Sequence, residues 1–211
     1  MKILYEDNHI IVVVKDYNIP VQEDSSEDID MLSMIKSYIK EKYNKPGNVY
    51  LGLVHRLDRP VGGVMVFAKT SKAAKRLSEE IRNKRIEKKY VALVHGKVEE
   101  SGILKDNLSR NEKTNTTYVD KNGKESILEY KLISYKNNMS LVDINLITGR
   151  HHQIRVQFAS RNNPIYGDQK YGIDKEGIQI HLWAYMLKFK HPVRDEIMEF
   201  TYYPDFYKVK E

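Results

Sequence analysis

An acidic residue followed by a sharp turn is the densest chemical signal in this chain. Asp58 lies within His55-Arg56-Leu57-Asp58-Arg59-Pro60-Val61-Gly62-Gly63, directly after a predicted strand from Val49 to Leu57. The segment from Arg59 to Gly63 is predicted to turn the chain, because proline and paired glycines do not continue a strand ladder. A strand end holds a carboxylate rigidly, and a nearby arginine favours its charged form, which suits a nucleophile or a base. A salt-bridged turn without chemistry would have the same local sequence.

A second signal is the basic segment Thr148-Gly149-Arg150-His151-His152-Gln153-Ile154-Arg155. We predict a short helix that begins after Gly149. Free backbone N–H groups at a helix start favour anions, and the added cations call for a negative partner such as an RNA phosphate or Asp58. A solvated basic helix is the alternative. No metal site is predicted, because the histidines lack the HExxH spacing or a similar one.

The third signal is Tyr90, which opens a predicted strand after the basic pair Lys88-Lys89. A tyrosine in this position most often lies at the rim of a core. Among the 15 tyrosines of the chain, only its sequence context distinguishes this one.

Composition limits the class of protein. The 211 residues, 41% of them hydrophobic, suit a single domain with a sizeable core. The net charge of +6 indicates a polyanionic partner such as nucleic acid, or a basic surface kept for solubility. The chain has no cysteine, so disulfides and thiolate metal sites are excluded. The N-terminal sequence lacks a signal-peptide pattern and a membrane-spanning length, so we expect a cytoplasmic protein.

The elements that position these residues are predicted from periodicity. A strand is predicted from Ile10 to Lys15, and its β-branched run from Ile10 to Val14 is typical of a strand buried on both faces. A helix is predicted from after Asp30 to about Tyr43, and a second one after Thr70 or Ser71 with a basic outer face. Further strands are predicted at Ile3–Tyr5, Val64–Ala68, Tyr90–His95, Ile127–Tyr135, Met139–Leu146, Ile178–Phe189 and Ile197–Tyr202. Strands and helices do not alternate strictly, which indicates an α+β fold with a mixed sheet.

Together, these segments resemble the RluA-type pseudouridine synthases, and the resemblance covers nearly the whole chain. The similar motifs occur in the family's order: His55-Arg56-Leu57-Asp58 with a Gly-rich turn and Ala68-Lys69-Thr70, then Lys89-Tyr90-x-Ala92-Leu93-Val94, then Thr148-Gly149-Arg150-x-His152-Gln153-Ile154-Arg155. The segments Ile165-Tyr166-Gly167-Asp168 and Phe189-x-His191-Pro192 extend the match.

The resemblance implies a fold and a reaction. We expect an α+β protein with a mixed, largely antiparallel sheet, flanking helices and a central active-site cleft. Residues 1–211 would form one catalytic domain without a separate N-terminal RNA-binding domain. The expected activity is isomerisation of uridine to pseudouridine in ribosomal RNA or tRNA, by a monomer that uses no cofactor and no metal.

The resemblance also assigns residues by position. Asp58 would be the catalytic aspartate, Tyr90 would pack on the target base, and Arg155 would pair with the aspartate. Arg56 would help to displace the target base from its stack. The other expected RNA or substrate contacts are His55, Lys89, Arg150 and His152.

Some positions depart from the family pattern. Lys15-Asp16 replaces a common Lys-Pro, Val61-Gly62-Gly63 replaces Thr-Ser-Gly, and Gln157 stands where histidine is common. None of these removes a catalytic residue, so they concern RNA specificity.

An RNA-binding protein without turnover would explain the charge but would not need Asp58, Tyr90 and Arg155 together. A glycosidase or nuclease would call for further acidic residues that these motifs lack.

Overall fold

A computed structural model describes residues 1–208, whose contacts divide the chain into two compact units. The first unit comprises Met1–Ile86 and Met186–Tyr202, and the second comprises Glu87–Tyr185 together with residues 203–208. Within residues 1–208, no helix has both the length and the apolar character needed to cross a membrane.

Eleven strands and four helices are formed by the described residues. In chain order they are β1 (Lys2–Glu6), β2 (Ile10–Lys15), α1 (Met31–Lys42), β3 (Gly52–Leu53), β4 (Gly62–Ala68), α2 (Ser71–Arg82), β5 (Glu87–His95), β6 (Ser101–Asn111), β7 (Thr116–Val119), β8 (Lys124–Lys136), β9 (Met139–Leu146), α3 (Gln153–Ala159), β10 (Leu182–Lys190), β11 (Ile197–Thr201) and α4 (Asp205–Lys208).

Strand β2 is the centre of the first unit. It pairs antiparallel with β1 on one side and with β4 on the other, with Val12 opposite Val66. All six of its residues are buried, as the continuous β-branched run predicts. Ile10 and Val12 pack in one core with residues of β4 and with Leu77 of α2.

The two predicted helices of this unit are confirmed, and side-chain caps explain where they begin. The Asp30 carboxylate accepts a hydrogen bond from Ser33 N at the start of α1, at 3.1 Å. The Thr70 hydroxyl accepts one from Ala73 N at the start of α2, at 3.2 Å. Each cap satisfies a backbone N–H group that has no partner inside its helix.

The segment before Asp58 differs from the prediction. Only Gly52–Leu53 of the expected strand pairs with β4, and residues 54–58 have no regular structure. In this segment the His55 side chain binds β4 in place of backbone pairing: its Nε2 accepts a hydrogen bond from Val66 N at 3.1 Å. Gly63, predicted to lie in a turn, instead belongs to β4 and pairs with Lys15. Alternation along a strand therefore does not place Arg56 and Asp58 on one face.

The second unit is built on antiparallel strands in the order β5-β9-β8-β6-β7. The predicted hairpin of β8 and β9 is confirmed, whereas no strand was predicted for β6 or β7. Helix α3 begins at Gln153, close to the predicted start, and the Phe158 ring contacts that of Tyr130 at a centroid distance of 5.5 Å. The two units together confirm the expected α+β class with largely antiparallel pairing.

A buried ion cluster around Glu6 fixes the end of β1 to α1 and to the end of β4. The Glu6 carboxylate accepts hydrogen bonds from Lys42 at 2.7 Å, Lys69 at 2.6 Å, and the hydroxyls of Tyr38 and Tyr43 at 2.9 Å each. Burial raises the pKa of Glu6, but these four donors outweigh it and lower the pKa from 4.5 to about 2. Lys69 belongs to the Ala68-Lys69-Thr70 motif, so this motif has a structural role in the first unit.

We predict that Glu6→Gln lowers the free energy of unfolding by about 1–3 kcal/mol at neutral pH, because Lys69 loses its anionic partner. Because folding lowers the pKa of Glu6, its stabilisation is present above pH 4.5 and is lost as the pH falls towards about 2. Urea unfolding at neutral pH and near pH ~3 should show the difference between wild type and variant shrink. Glu41→Gln, at an exposed position of α1, is the control. An equal difference at both pH values would contradict this account.

Candidate active site

Asp58 begins a tight turn in the first unit. The turn is closed by a hydrogen bond from Val61 N to the Asp58 carbonyl at 2.9 Å, and Pro60 restricts its backbone. The Asp58 side chain is half-buried, whereas its neighbour Leu57 is buried. The carboxylate is therefore held by a fixed backbone at a position that solvent still reaches.

Lys15, the last residue of β2, fixes this turn from the interior. Its ammonium is fully buried and donates to the carbonyl oxygens of Val61 at 2.7 Å, Arg59 at 2.9 Å and Asp16 at 3.1 Å. Burial lowers the pKa of Lys15 to about 7, and the carboxylates of Asp58 and Asp16 act in the opposite direction. Lys15 thus joins a rigid central strand to the turn that carries Asp58.

The two arginines beside Asp58 in sequence have different surroundings. The Arg59 guanidinium binds the acidic loop before α1, through Asp28, Ser26 at 2.8 Å and Asp24 at 3.5 Å. Arg56 is exposed. Arg59 therefore contributes its charge to a surface ion-pair cluster, while Arg56 presents its side chain to solvent.

Arg155 lies on α3 in the second unit and is held by Asp168. Its Nε donates to Asp168 Oδ2 at 2.8 Å and its Nη2 donates to Oδ1 at 2.7 Å. Both side chains are buried, with exposed fractions of 5% and 0%. The Asp168 carboxylate also accepts from the backbone N–H groups of Lys170 and Tyr171, so a turn fixes the carboxylate and the carboxylate fixes the guanidinium.

A polar network continues from this pair to His152. The Tyr171 ring lies beneath the Arg155 guanidinium at 5.2 Å, and its hydroxyl contacts His152 Nδ1 at 2.7 Å. The same hydroxyl accepts from Thr117 N at 2.8 Å, and Thr117 Oγ1 contacts His151 Nδ1 at 2.8 Å. Burial and, to a smaller extent, neighbouring positive charges together lower the pKa of His152 to about 2, so its imidazole is neutral. His152 therefore positions Tyr171 within the second unit.

Gln157, which departs from the family pattern, joins α3 to the sheet of the second unit. Its buried amide nitrogen donates to Asp106 at 2.8 Å, to Leu104 O at 3.1 Å and to Ser126 O at 3.2 Å. Its amide oxygen accepts from Gln153 at 3.0 Å. The replacement of histidine by glutamine therefore leaves a fully bonded polar side chain in a buried position.

Tyr90 and Lys89 are neighbours on β5 in the second unit. Tyr90 is buried, with 7% of its surface exposed, and its backbone lies opposite Ile144 of β9. The Lys89 side chain is one-third exposed and lies 3.6 Å from Glu87. The exposed Arg150 donates from Nε to the carbonyl of Glu125 at 3.2 Å.

The predicted residues thus fall into two groups, one in each unit. His55, Arg56 and Asp58 belong to the first unit, and Lys89, Tyr90, Arg150, His152 and Arg155 belong to the second. Sequence reasoning missed the roles of Lys15, Asp168 and Tyr171. One signal was available for Lys15: it is the only charged residue of an otherwise fully apolar predicted strand, as expected for a buried cation with a specific contact.

The chain is similar in sequence to known proteins. The profile of a family described as RNA pseudouridylate synthase matches residues 9–160. The ribosomal large subunit pseudouridine synthase C of Buchnera aphidicola is 37% identical over 207 residues, which cover 91% of this chain and 63% of that protein. The protein of the same name from Haemophilus influenzae is 33% identical over 214 residues, which cover 95% and 64%. The chain therefore spans slightly under two thirds of the length of these relatives.

Two human structures share the fold. RNA pseudouridylate synthase domain containing 4 matches with a TM-score of 0.80 at 24% identity, over 98% of this chain and 90% of its own. RNA pseudouridylate synthase domain containing 1 matches with a TM-score of 0.79 at 22% identity, over 97% and 84%.

We predict that Asp168→Asn lowers the free energy of unfolding by about 3–5 kcal/mol, because the buried Arg155 loses its bidentate anionic partner. Asp195→Asn is the matched control: Asp195 also pairs with a cation, Lys190, but it is 93% exposed. Asp195→Asn should leave the free energy of unfolding close to that of wild type, because an exposed ion pair contributes little. Urea unfolding of both variants provides the comparison. Similar small changes in the two would show that the Arg155–Asp168 pair does not stabilise the fold.

Proposed function

The chain belongs to the RNA pseudouridylate synthase family, and on that premise we propose that it isomerises uridine to pseudouridine in a structured RNA. The observation that carries the proposal is the Asp58 turn: its carboxylate is half-buried, and Lys15 fixes the backbone of the turn through the carbonyls of Arg59 and Val61. The names of the bacterial relatives favour large-subunit ribosomal RNA over tRNA as the substrate. Either substrate agrees with the expected cytoplasmic location.

The proposed reaction moves the uracil ring so that C5, instead of N1, is bonded to the ribose. The enzyme must hold the detached base, turn it and join it again, so the uridine must first leave its stack. Asp58 would act as the catalytic carboxylate by attacking the uracil ring, by attacking the sugar C1′ or by removing a ribose proton. The reaction transfers no electrons and no phosphoryl group, and we propose that it needs no cofactor.

Arg155 and Tyr90 complete the proposed catalytic group. We propose that Arg155 pairs with Asp58 and orients it. Asp168 supports this role, because it holds Nε and Nη2 and so sets the orientation of the guanidinium plane. Tyr90 would stack on the target base, and its hydroxyl would assist proton removal at C5.

Three of the remaining sequence candidates would contact RNA directly. The exposed Arg56 would occupy the space left by the displaced base, and Arg150 and Lys89 would contact phosphates. The positive charges of Arg155, Lys170 and Arg110 all lower the pKa of His152. This positive potential favours an RNA backbone near this part of the second unit. His55 and His152 would support the site through their protein contacts.

The decisive test compares Asp58→Asn with Asp16→Asn. Asp58→Asn keeps the size of the side chain and removes its charge and nucleophilicity, so conversion of uridine should fall at least about a thousandfold while RNA affinity is retained. Asp16 is exposed and also acts on the charge of Lys15, so Asp16→Asn controls for the altered field and should retain most activity. Pseudouridine is measured in a labelled fragment of large-subunit ribosomal RNA, after a thermal melt confirms folding.

The outcomes separate two functions. A folded Asp58→Asn variant with wild-type turnover would remove Asp58 from the mechanism. Tight RNA binding by a wild type that converts no uridine in total ribosomal RNA or tRNA would instead favour an RNA-binding protein of this fold.

We further predict that Tyr90→Phe folds and binds RNA like wild type but turns over roughly 10- to 100-fold more slowly, because it retains the ring and loses only the hydroxyl. Single-turnover conversion with enzyme in excess reports the chemical step without product release. A rate equal to wild type would limit Tyr90 to stacking, and loss of binding would show that the hydroxyl serves affinity.

A further inference from the structure

Lys88 and Tyr90 lie on the same side of β5. Side chains alternate along a strand, so residues 88 and 90 share one face and Lys89 points to the other. Two residues along a strand span about 7 Å. A lysine side chain at position 88 can therefore reach an anion that lies close to a ring stacked on Tyr90.

The ammonium of Lys88 has no partner in the part of the chain that the structure describes. Within residues 1–208, no hydrogen bond or ion pair involves it, although the side chain is partly buried. Burial lowers the pKa of Lys88, and no neighbouring carboxylate opposes that effect. The other buried lysines are satisfied: Lys15 has three carbonyl acceptors, and Lys69 has Glu6 at 2.6 Å.

A desolvated cation without an acceptor costs free energy in the folded protein. The cost is recovered when a ligand brings an anion to the ammonium, and the remaining exposure of Lys88 leaves that approach open. An RNA substrate carries such an anion on every nucleotide. A nucleotide whose base lies against Tyr90 brings its own phosphate groups within reach of the same strand face.

We propose that Lys88 binds a backbone phosphate of the nucleotide whose base lies against Tyr90. This inference rests on the proposed function, and it adds the residue that holds the target nucleotide by its backbone. Lys88 would act as a binding residue that fixes the sugar-phosphate while the base is detached, turned and rejoined. One charged hydrogen bond to a phosphate oxygen would then replace the hydration that the folded protein withholds from the ammonium.

The test neutralises the two partners of the contact separately and together. The probe is a synthetic stem-loop of large-subunit ribosomal RNA, in which each phosphate in turn is replaced by a neutral methylphosphonate. We expect wild type to lose about 5- to 100-fold in affinity at one phosphate beside the target uridine, and Lys88→Gln to lose nothing more there. Affinities come from fluorescence titrations, which need no turnover.

Salt dependence gives an independent measure with a matched control. Replacing Lys88 with glutamine should make the slope of log Kd against log salt shallower by about 0.7–0.9, the value of one phosphate contact. Lys88→Arg retains the charge and should restore the slope. Lys136 is an exposed lysine at the opposite end of the ladder formed by β5, β9 and β8, and Lys136→Gln should leave the slope unchanged.

Stability distinguishes binding from a structural role. If Lys88 serves the ligand, Lys88→Gln should melt at or above the temperature of wild type, because an unpaired desolvated charge has been removed. A lower melting temperature, or methylphosphonate effects that are equal in wild type and Lys88→Gln at every phosphate, would overturn the inference. If wild type binds the stem-loop with this coupling but converts no uridine in any RNA, the proposed function fails and the phosphate contact stands.

Discussion

The buried ammonium of Lys15 is the interaction on which the Asp58 turn depends. A lysine at the end of a fully buried strand is costly unless acceptors surround it, and the turn supplies the carbonyls of Arg59 and Val61. The constraint is mutual, because those carbonyls would themselves be buried without a donor if the lysine were replaced. Strand β2, central between β1 and β4, therefore transmits the rigidity of the core to the turn that carries the carboxylate.

Elements with a continuous local pattern could be predicted from the sequence, and elements defined by their neighbours could not. The run at Ile10, the helix after Asp30 and the hairpin around Asn137 each have a sufficient local signal. Strands β6 and β7 lack it, because residue type does not follow burial there: Ile103 and Tyr118 are exposed, whereas Asp106 is partly buried. Strand β6 pairs with β8, and β7 pairs with β6, so both strands are defined by their neighbours.

The candidate site shows the same division. Resemblance of ordered motifs selected Asp58, Tyr90 and Arg155 as candidates, because each lies in a distinctive local sequence. The residues that hold them act over long separations: Lys15 contacts a carbonyl 46 residues away, and Asp168 lies 13 residues beyond Arg155. Such contacts are properties of the folded chain. A sequence indicates that a lysine is buried, but only the fold shows to which acceptors its ammonium donates hydrogen bonds.

Net charge is a poor guide to where a polyanion binds this protein. Some cations of α2 and of the segment after it serve internal contacts: Arg76 of the helix donates to the Pro192 carbonyl, and Arg85, beyond its end, pairs with Glu80. A largely exposed ion pair such as Arg85–Glu80 contributes little to stability, and its carboxylate offsets the charge that the arginine offers a ligand. A cation that the fold desolvates without pairing differs from such a pair. It destabilises the free protein, and an anionic ligand removes that cost by binding to it. Charge that serves binding can therefore be recognised by its cost to folding. Lys88 meets that condition, because burial lowers its pKa and no acceptor within residues 1–208 binds its ammonium.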